Sequence, residues 1–352
     1  MLLLKGGHQC EFSLNADAPL LRELFAALRN PRGNEGQKLF RVPMESGKSC
    51  LYFPGESLVA IATDPPVPRE AIAVEKRSPS ATNHSKTVQQ LEWQLEIYRQ
   101  LEKLSPNHGK IERITKIPRA EFLEKYYATN TPVIFTDLMH NWPALSLWTP
   151  EYFREKYGDA MVGVQVNRES NPDYEIERDK HQVMMSLGTF VDKVINGGET
   201  NDYYIGAYNG TFHRPKMQGL FADMEMFSEY LEVKPDPAQM TFWFGPAGTI
   251  TPLHFDSLNT FLCQVYGRKR IKLISPNHKH LLYNRGRYHS YIDLENPDYE
   301  QFPLLENVNI IETVLEPGEV LFMPVGWWHH VKALDIAVSV SLMNFVFPNE
   351  YE

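Results

Sequence analysis

The residues best suited to chemistry lie in two short segments, 251–256 (TPLHFD) and 326–330 (GWWHH). In a strand, side chains two positions apart share one face, so His254 and Asp256 point the same way. A histidine of the second segment would add another imidazole. Two imidazoles and one carboxylate can occupy one face of an Fe(II) octahedron, with the opposite positions free for a bidentate co-substrate and O2. The pattern predicts a non-haem iron centre of the oxygenase type.

The strand period decides which histidine of the second segment faces the metal. Residues 315–324 (LEPGEVLFMP) read as a turn, a short apolar strand and a second turn, which brings His329 and His330 to the start of another strand. Neighbouring side chains of a strand face opposite ways. We predict that His329 is the ligand and that His330 packs behind it.

A lysine supplies a candidate anion site close to the metal ligands. Residues 259–274 read as two strands joined at a turn around Gly267, with Lys269 entering the second strand. An inward lysine on an apolar strand is costly unless it meets an anion, and the distal carboxylate of 2-oxoglutarate is such an anion. We expect Arg268, Arg270 and Lys272 to be solvated.

With these residues the chain resembles the JmjC or cupin-like 2-oxoglutarate oxygenases, and most closely their asparaginyl hydroxylase member, factor inhibiting HIF. The resemblance covers about residues 110 to 348. It includes the motifs around His254 and His329, Asn259 with 267–270 (GRKR), the run 293–303 (DLENPDYEQFP), Asn344 with Phe345, and the opening segment 132–148 with PVIF and NWP. It implies a mainly β fold with flanking helices, built on a double-stranded β-helix, a form of jelly roll.

The resemblance also implies roles for individual residues. His254, Asp256 and His329 would bind Fe(II), and O2 would react there. Five further positions would hold or adjoin the co-substrate 2-oxoglutarate: Lys269, Thr251 and Tyr204 at its distal carboxylate, with Asn259 and Asn344 beside the co-substrate and the metal. Tyr203 adjoins Tyr204, and a slip of one residue would exchange them.

Three departures from the asparaginyl hydroxylase concern the substrate and the oligomer. Tyr288 and His289 stand where that enzyme has an Arg-Gln pair that recognises its target, and Tyr291 lies in the same loop. Val346 replaces a substrate-facing tryptophan. The chain ends at Glu352, without the C-terminal helices through which that relative dimerises. We therefore expect this chain to share the oxygenase chemistry of that enzyme, but we do not expect asparagine to be its target.

Composition is that of a folded enzyme, with 352 residues, 43% hydrophobic and 12% aromatic. No segment approaches a membrane span, and the opening residues are too short for a signal peptide, so we expect a cytoplasmic protein. Three scattered cysteines predict neither a disulfide framework nor a zinc cluster. A net charge of −9 argues against a nucleic-acid partner.

The sequence divides into three parts. Residues 1–80 predict a small α+β module of unknown role, with a helix over 18–29, strand-like runs at 38–43, 49–53 and 57–63, and a linker that includes 78–85. Residues 81–109 hold the rest of the linker and an amphipathic helix over 87–104, which could pair with its copy in a homodimer or lie on the catalytic domain. Residues 110–352 form the catalytic domain.

The expected activity is hydroxylation of an amino-acid side chain in a protein or peptide, with release of succinate and CO2. Three alternatives stay open at this point. An N-methyl-lysine or N-methyl-arginine demethylase would need a cage, for which Tyr288, Tyr291 and Tyr299 are candidates. The others are a hydroxylase of a tRNA base or small metabolite, and a cupin that only binds a ligand or partner.

Overall fold

The computed structural model describes residues 2–4, 9–10, 19–29, 38–43, 50–61 and 79–351. The chain divides into two compact units, residues 1–90 and 91–352. Within the described ranges, no helix has the length and apolar character needed to cross a membrane.

The first unit has the elements of a small α+β module. Its strands are β1 (Leu2–Leu4), β2 (Gln9–Cys10), β3 (Leu39–Pro43), β4 (Cys50–Pro54) and β5 (Leu58–Ile61), and its helix is α1 (Pro19–Arg29). Strands β2, β1 and β5 form one sheet, and β3 pairs with β4 as an antiparallel hairpin. The connection between β3 and β4 lies outside the described residues. Apolar side chains from both sheets and from α1 share one core, which includes Leu2, Leu24, Phe40 and Phe53.

Helix α2 (Pro79–Glu102) begins in the first unit and ends in the second. It is longer than the helix predicted over 87–104, and the expectation of a linker at 78–85 is wrong from Pro79 onward. Proline is tolerated in the first turn of a helix, where its missing N–H has no intrahelical partner, so Pro79 does not prevent this earlier start. Dimerisation through this helix stays a prediction.

The described part of the second unit contains fourteen strands and four further α-helices. The strands are β6 (Glu112–Ile114), β7 (Val133–Phe135), β8 (Met161–Gln165), β9 (Gln182–Ser186), β10 (Met240–Gly245), β11 (Ile250–Phe255), β12 (Thr260–Tyr266), β13 (Lys269–Ile274), β14 (Asn284–Arg285), β15 (His289–Ser290), β16 (Ile311–Leu315), β17 (Val320–Met323), β18 (Trp328–Ala333) and β19 (Ala337–Leu342). The helices are α3 (Arg119–Phe122), α4 (Ala144–Leu147), α5 (Pro150–Tyr157) and α6 (Leu187–Asn196), and α3 continues into a π-helical turn at Leu123–Tyr127.

Two six-stranded sheets form the body of this unit. Sheet I has the order β10-β19-β12-β17-β7-β6, and sheet II has the order β14-β15-β11-β18-β13-β16. Side chains from both sheets, among them Leu262, Leu321, Ile271 and Val331, form one buried cluster, so the inner faces of the two sheets meet. This is the arrangement of a jelly roll. The expected fold class is confirmed.

The outer face of sheet I carries the largest core that the described residues form. Phe122 is fully buried and contacts seven other aromatic rings from helices, strands and the C-terminal segment: Tyr126, Tyr127, Phe135, Tyr230, Phe261, Phe322 and Phe347. Aromatic side chains bury a large apolar area each, and this cluster holds the flanking helices to the sheet.

The chain crosses from sheet I to sheet II between β12 and β13. Gly267 adopts φ +65 there, and a Cβ at this position would lie 2.0 Å from the carbonyl oxygen of Ile336. Only glycine fits this close approach at positive φ. The turn around Gly267 was predicted, but its strands pair in different sheets instead of forming a hairpin. The crossing places Lys269 at the start of β13.

Candidate metal centre

The three predicted ligands meet on the inner face of sheet II. Strands β11 and β18 pair antiparallel with His254 directly opposite His329, and Asp256 follows the end of β11. The Nε2 atom of His254 lies 3.9 Å from Asp256 Oδ1, and the Nε2 atom of His329 lies 3.7 Å from Asp256 Oδ2. One ligand atom from each residue lies within 4.8 Å of the others. This spacing suits a single metal ion with three protein ligands.

Both imidazoles are oriented by the backbone. The Nδ1 atom of His254 lies 2.8 Å from the carbonyl oxygen of Pro252, and that of His329 lies 3.0 Å from the carbonyl oxygen of Trp327. When Nδ1–H donates to these carbonyls, each Nε2 lone pair is free to face the metal, which is the usual arrangement around metal-ligating histidines. Burial and the neighbouring His329 lower the pKa of His254 to about 4, so it is neutral at pH 7.

His330 lies on the opposite face of sheet II, as the strand period requires. Its ring is buried, and Nδ1 lies 3.9 Å from Glu295 Oε1. Arg270 donates to both oxygens of Glu295, and Lys272 lies 3.5 Å from it. The expectation that Arg270 and Lys272 are solvated is therefore wrong, because both pair with the largely buried Glu295 carboxylate on this face. Arg268 is half exposed and pairs with Asp335.

Lys269 is a buried amine beside the metal ligands. It is 2% exposed, and its register on β13 places it on the same inner face of sheet II as His329. Its Nζ atom lies 3.3 Å from the hydroxyl of Tyr204, and no carboxylate among the described residues pairs with it. Burial lowers the pKa of Lys269 to about 7. A buried amine without a counter-charge fits the carboxylate of a bound ligand.

Tyr204 and Thr251 complete the surroundings of this amine. Tyr204 is buried and its pKa is raised well above the usual value by burial, so it stays protonated. Thr251 is buried on β11, next to the Tyr204 hydroxyl. Tyr203 points elsewhere, since its hydroxyl donates to the carbonyl oxygen of Lys193. The structure thus brings Tyr204, and not Tyr203, to Lys269.

The two predicted asparagines differ in how their amides are used. Asn259 is fully engaged: Oδ1 accepts from the backbone N–H of Val325, and Nδ2 donates to the hydroxyl of Tyr351. It thereby fixes the turn that leads to His329. Asn344 donates to the carbonyl oxygen of Glu232, but its buried Oδ1 has no hydrogen-bond partner among the residues described. Asn344, unlike Asn259, therefore has a side-chain oxygen that could accept a hydrogen bond from a ligand.

The three residues of the loop considered for substrate contact, Tyr288, His289 and Tyr291, differ in how close they lie to the metal ligands. His289 pairs with His254 between β15 and β11, and their rings are stacked with centroids 5.8 Å apart. Tyr288 packs against Phe255, and Tyr291 is more than half exposed. Among the described residues, Tyr288, Tyr291 and Tyr299 make no ring contact with one another. His289 alone of the three predicted residues adjoins the triad.

Sequence reasoning missed a charged pair that lies next to Tyr204. Arg168 is fully buried, contacts the rings of Tyr174 and Tyr204, and donates to the carbonyl oxygen of Ile250. Its partner Glu175 lies 3.6 Å away and is nearly buried. No periodicity or motif marks these residues, because they belong to an irregular segment whose ion pair forms only in the folded chain.

Comparisons with known proteins agree with this geometry. The model of the cupin-like domain family matches residues 118–351. The chain is 33% identical over 254 residues to JmjC domain-containing protein D of Dictyostelium discoideum, which covers 65% of this chain and 55% of that protein. It is 31% identical over 228 residues to lysine-specific demethylase 8 of Xenopus tropicalis, which covers 62% and 49% of the two chains.

A third relative has a different named role. The chain is 26% identical over 238 residues to tRNA wybutosine-synthesizing protein 5 of Gallus gallus, over 64% of this chain and 74% of that protein. The chain spans about half the length of the two relatives named first. The closer likeness to an asparaginyl hydroxylase is not tested by these matches and stays a prediction. From the match over residues 118–351 and the His-Asp-His site, we conclude that the chain belongs to the cupin-like JmjC domain family, whose members use Fe(II), 2-oxoglutarate and O2.

Proposed function

We propose that this protein is an Fe(II)- and 2-oxoglutarate-dependent oxygenase that hydroxylates an amino-acid side chain in a protein or peptide, with release of succinate and CO2. The observation that carries the proposal is the buried amine of Lys269 on the same sheet face as His254 and His329. A metal site alone occurs in many kinds of protein. A metal site beside a buried amine that has no counter-charge fits a ligand that binds the metal at one end and carries a carboxylate at the other, as 2-oxoglutarate does. The bound iron and 2-oxoglutarate together would supply the oxidant for a C–H bond.

The protein's own residues would bind and orient these groups. His254, Asp256 and His329 would hold the metal, and Lys269, Tyr204 and Thr251 would hold the distal carboxylate of 2-oxoglutarate. Buried hydrogen bonds of this kind fix the co-substrate in one orientation, because each donor is held in place before the ligand arrives. Asn344, with its unpaired Oδ1, would meet a donor on the metal side.

Two observations support a protein or peptide as substrate. The resemblance of the motifs to an asparaginyl hydroxylase points to side-chain hydroxylation. His289 adjoins His254 on the short strand β15, which belongs to the long connection between β13 and β16. Connections of this kind commonly shape substrate specificity. The net charge of −9 does not favour nucleic acid.

Demethylation is the second candidate, because the named relatives include lysine-specific demethylase 8 of Xenopus tropicalis. The same hydroxylation on an N-methyl group would release formaldehyde. The separate positions of Tyr288, Tyr291 and Tyr299 offer no aromatic cage for a methylated cation among the described residues. Side-chain hydroxylation is therefore placed first.

The test is succinate formation from 2-oxoglutarate by anaerobically purified, Fe(II)-loaded protein under air, alone and with host-cell peptide extract. We expect turnover that the extract stimulates, without formaldehyde. His254→Ala should abolish it, and His330→Leu should keep it, since His330 lies on the opposite face of sheet II. Stoichiometric formaldehyde would establish demethylation instead. Metal binding without turnover in any condition would favour a cupin that only binds a ligand.

A further inference from the structure

The buried amide of Gln165 is a polar group for which the described part of the chain provides no hydrogen-bond partner. Gln165 ends strand β8 and is 1% exposed, yet neither its Oε1 nor its Nε2 forms a hydrogen bond with any residue that the structure describes. Buried side-chain amides are normally satisfied, and each exception calls for an explanation. We propose that Gln165 recognises the substrate, by hydrogen bonding to a neutral amide group of the bound peptide. This assignment rests on the proposed function and adds a specificity-determining residue to it.

A second buried glutamine shows what a structural amide looks like in this fold. Gln264 on β12 is also fully buried, but its Nε2 lies 2.8 Å from the carbonyl oxygen of Tyr266 and 2.7 Å from that of Gly267. Its Oε1 accepts from the hydroxyl of Ser339 at 2.7 Å. Both ends of Gln264 thus hold the strands together. Gln165 is equally buried and has neither end in use.

The pairing of Gln165 sets the direction of its side chain. Gln165 and Tyr204 form a reciprocal antiparallel pair, with N–H to carbonyl distances of 2.9 and 3.0 Å. Directly paired residues place their side chains on the same face. Tyr204 extends towards Lys269, so Gln165 also faces the interior that holds the candidate co-substrate site. Val162 and Val164, which alternate with it on β8, face the aromatic core.

Gly206 locates the amide more closely. A Cβ at Gly206 would lie 3.1 Å from Gln165 Oε1 and 3.0 Å from Cδ1 of Tyr204. The Oε1 atom of Gln165 and the ring of Tyr204 therefore lie close to the same point, and Lys269 meets the hydroxyl of that ring. Lys269 offers a carboxylate a positive charge, whereas the amide of Gln165 is neutral and would leave its own oxygen unsatisfied by a carboxylate. This difference favours the substrate over 2-oxoglutarate as the partner of Gln165.

The hydrogen-bonding capacity of a primary amide limits which chemical groups can bind Gln165. Its oxygen accepts hydrogen bonds and its nitrogen donates two. A carboxylate would satisfy only the nitrogen, and an ammonium or guanidinium group only the oxygen. A neutral amide of the peptide substrate, in its main chain or in a side chain, satisfies both ends together.

The experiment compares Gln165→Met with the matched control Gln264→Met in Fe(II)-loaded protein. For Gln165→Met we expect the succinate formed without extract and the KM for 2-oxoglutarate to stay within twofold of wild type. The turnover added by host-cell peptide extract should fall at least tenfold, about 1.4 kcal/mol of transition-state stabilisation. Its melting temperature should equal or exceed that of wild type, because no hydrogen bond is lost, whereas Gln264→Met should melt several degrees lower.

Each contrary result would overturn the assignment. A melting temperature for Gln165→Met as low as that of Gln264→Met would make Gln165 a structural residue. A raised KM for 2-oxoglutarate with unchanged stimulation would make it a co-substrate contact. Greater stimulation in Gln165→Glu would mean that a cationic group binds there.

Failure of the proposed function itself would look different. Wild-type protein that binds Fe(II) but forms no succinate would remove the oxygenase activity and this assignment together. Wild-type protein that forms succinate without any stimulation by the extract would keep the oxygenase and refute the peptide substrate, and with it the role given to Gln165.

Discussion

The affinity for 2-oxoglutarate should fall as the pH rises from 7 to 9, because Lys269 must be protonated to pair with the carboxylate. Burial lowers the pKa of this amine to about 7 in the protein without ligand. A bound carboxylate favours the charged amine and raises that pKa again, so binding takes up a proton above pH 7. Tyr204 does not titrate in this range, and 2-oxoglutarate is fully ionised throughout it.

The size of the effect follows from the fraction of protonated amine. With a pKa of about 7, this fraction is roughly one half at pH 7 and about one hundredth at pH 9, so the affinity should fall roughly fiftyfold. Replacement of Lys269 by methionine should remove the pH dependence. It should also weaken binding at pH 7 by about 3 kcal/mol, or roughly a hundredfold, as expected for loss of one partner of a buried ion pair.

The assay is calorimetric titration of 2-oxoglutarate into Mn(II)-loaded protein at pH 7, 8 and 9, with Mn(II) in place of Fe(II) to prevent turnover. Lys269→Met should also raise the melting temperature of the ligand-free protein at pH 7. The reason is that the folded-state pKa lies below the unfolded value, so the unfolded state binds the proton more tightly and Lys269 reduces stability at this pH. Equal affinity at pH 7 and 9 in wild type, or the same slope in Lys269→Met, would refute the assignment of Lys269 to the carboxylate.

Three further predictions concern the metal, the outer face of sheet II and the core. His329→Ala should lower the affinity for Co(II) at least a hundredfold by spectroscopic titration, while His330→Leu, its neighbour on the other face, should change it less than threefold; equal losses would contradict the sheet register. Burial opposes ionisation of Glu295, but hydrogen bonds from Arg270 and nearby positive charges outweigh it and hold the pKa of Glu295 below its usual range. The stability that the ionised carboxylate contributes should therefore be present above pH 4.5 and be lost as the pH falls. Glu295→Gln should lower the free energy of unfolding at pH 7, measured in urea, by about 3 kcal/mol, and that free energy should depend less on pH below 4.5. Phe122→Ala should lower it by about 4 kcal/mol in the same assay, as loss of a central aromatic ring does, and a loss below 1 kcal/mol would show that the ring cluster is not the stabilising core.

The sequence predicts the inner face of sheet II well because two simple rules act there. The period of two places His254 with Asp256, and it separates His329 from His330. A lysine on an apolar strand demands an anion, and this rule marks Lys269 in the sequence alone. Both rules are local, and the fold preserves them.

The sequence does not predict side-chain environments that depend on residues far away along the chain. Arg270 and Lys272 read as solvated because Glu295, which binds them, stands more than twenty residues away in an irregular connection. The buried pair Arg168 and Glu175 has no period to mark it. Gln165 carries no signal at all in the sequence, since its lack of a hydrogen-bond partner is a property of the folded surroundings.

The pairing of His254 with His329 has a consequence for how the protein folds. The two residues are directly opposite each other in neighbouring strands, yet 75 positions apart along the chain. Contacts of such sequence separation close large loops and form slowly, so the metal site arises late in folding. An ion held by both histidines would act as a cross-link between β11 and β18 and slow their separation. Metal-loaded protein should then differ from metal-free protein mainly in its unfolding rate, which would make the ion a determinant of kinetic lifetime as well as of catalysis.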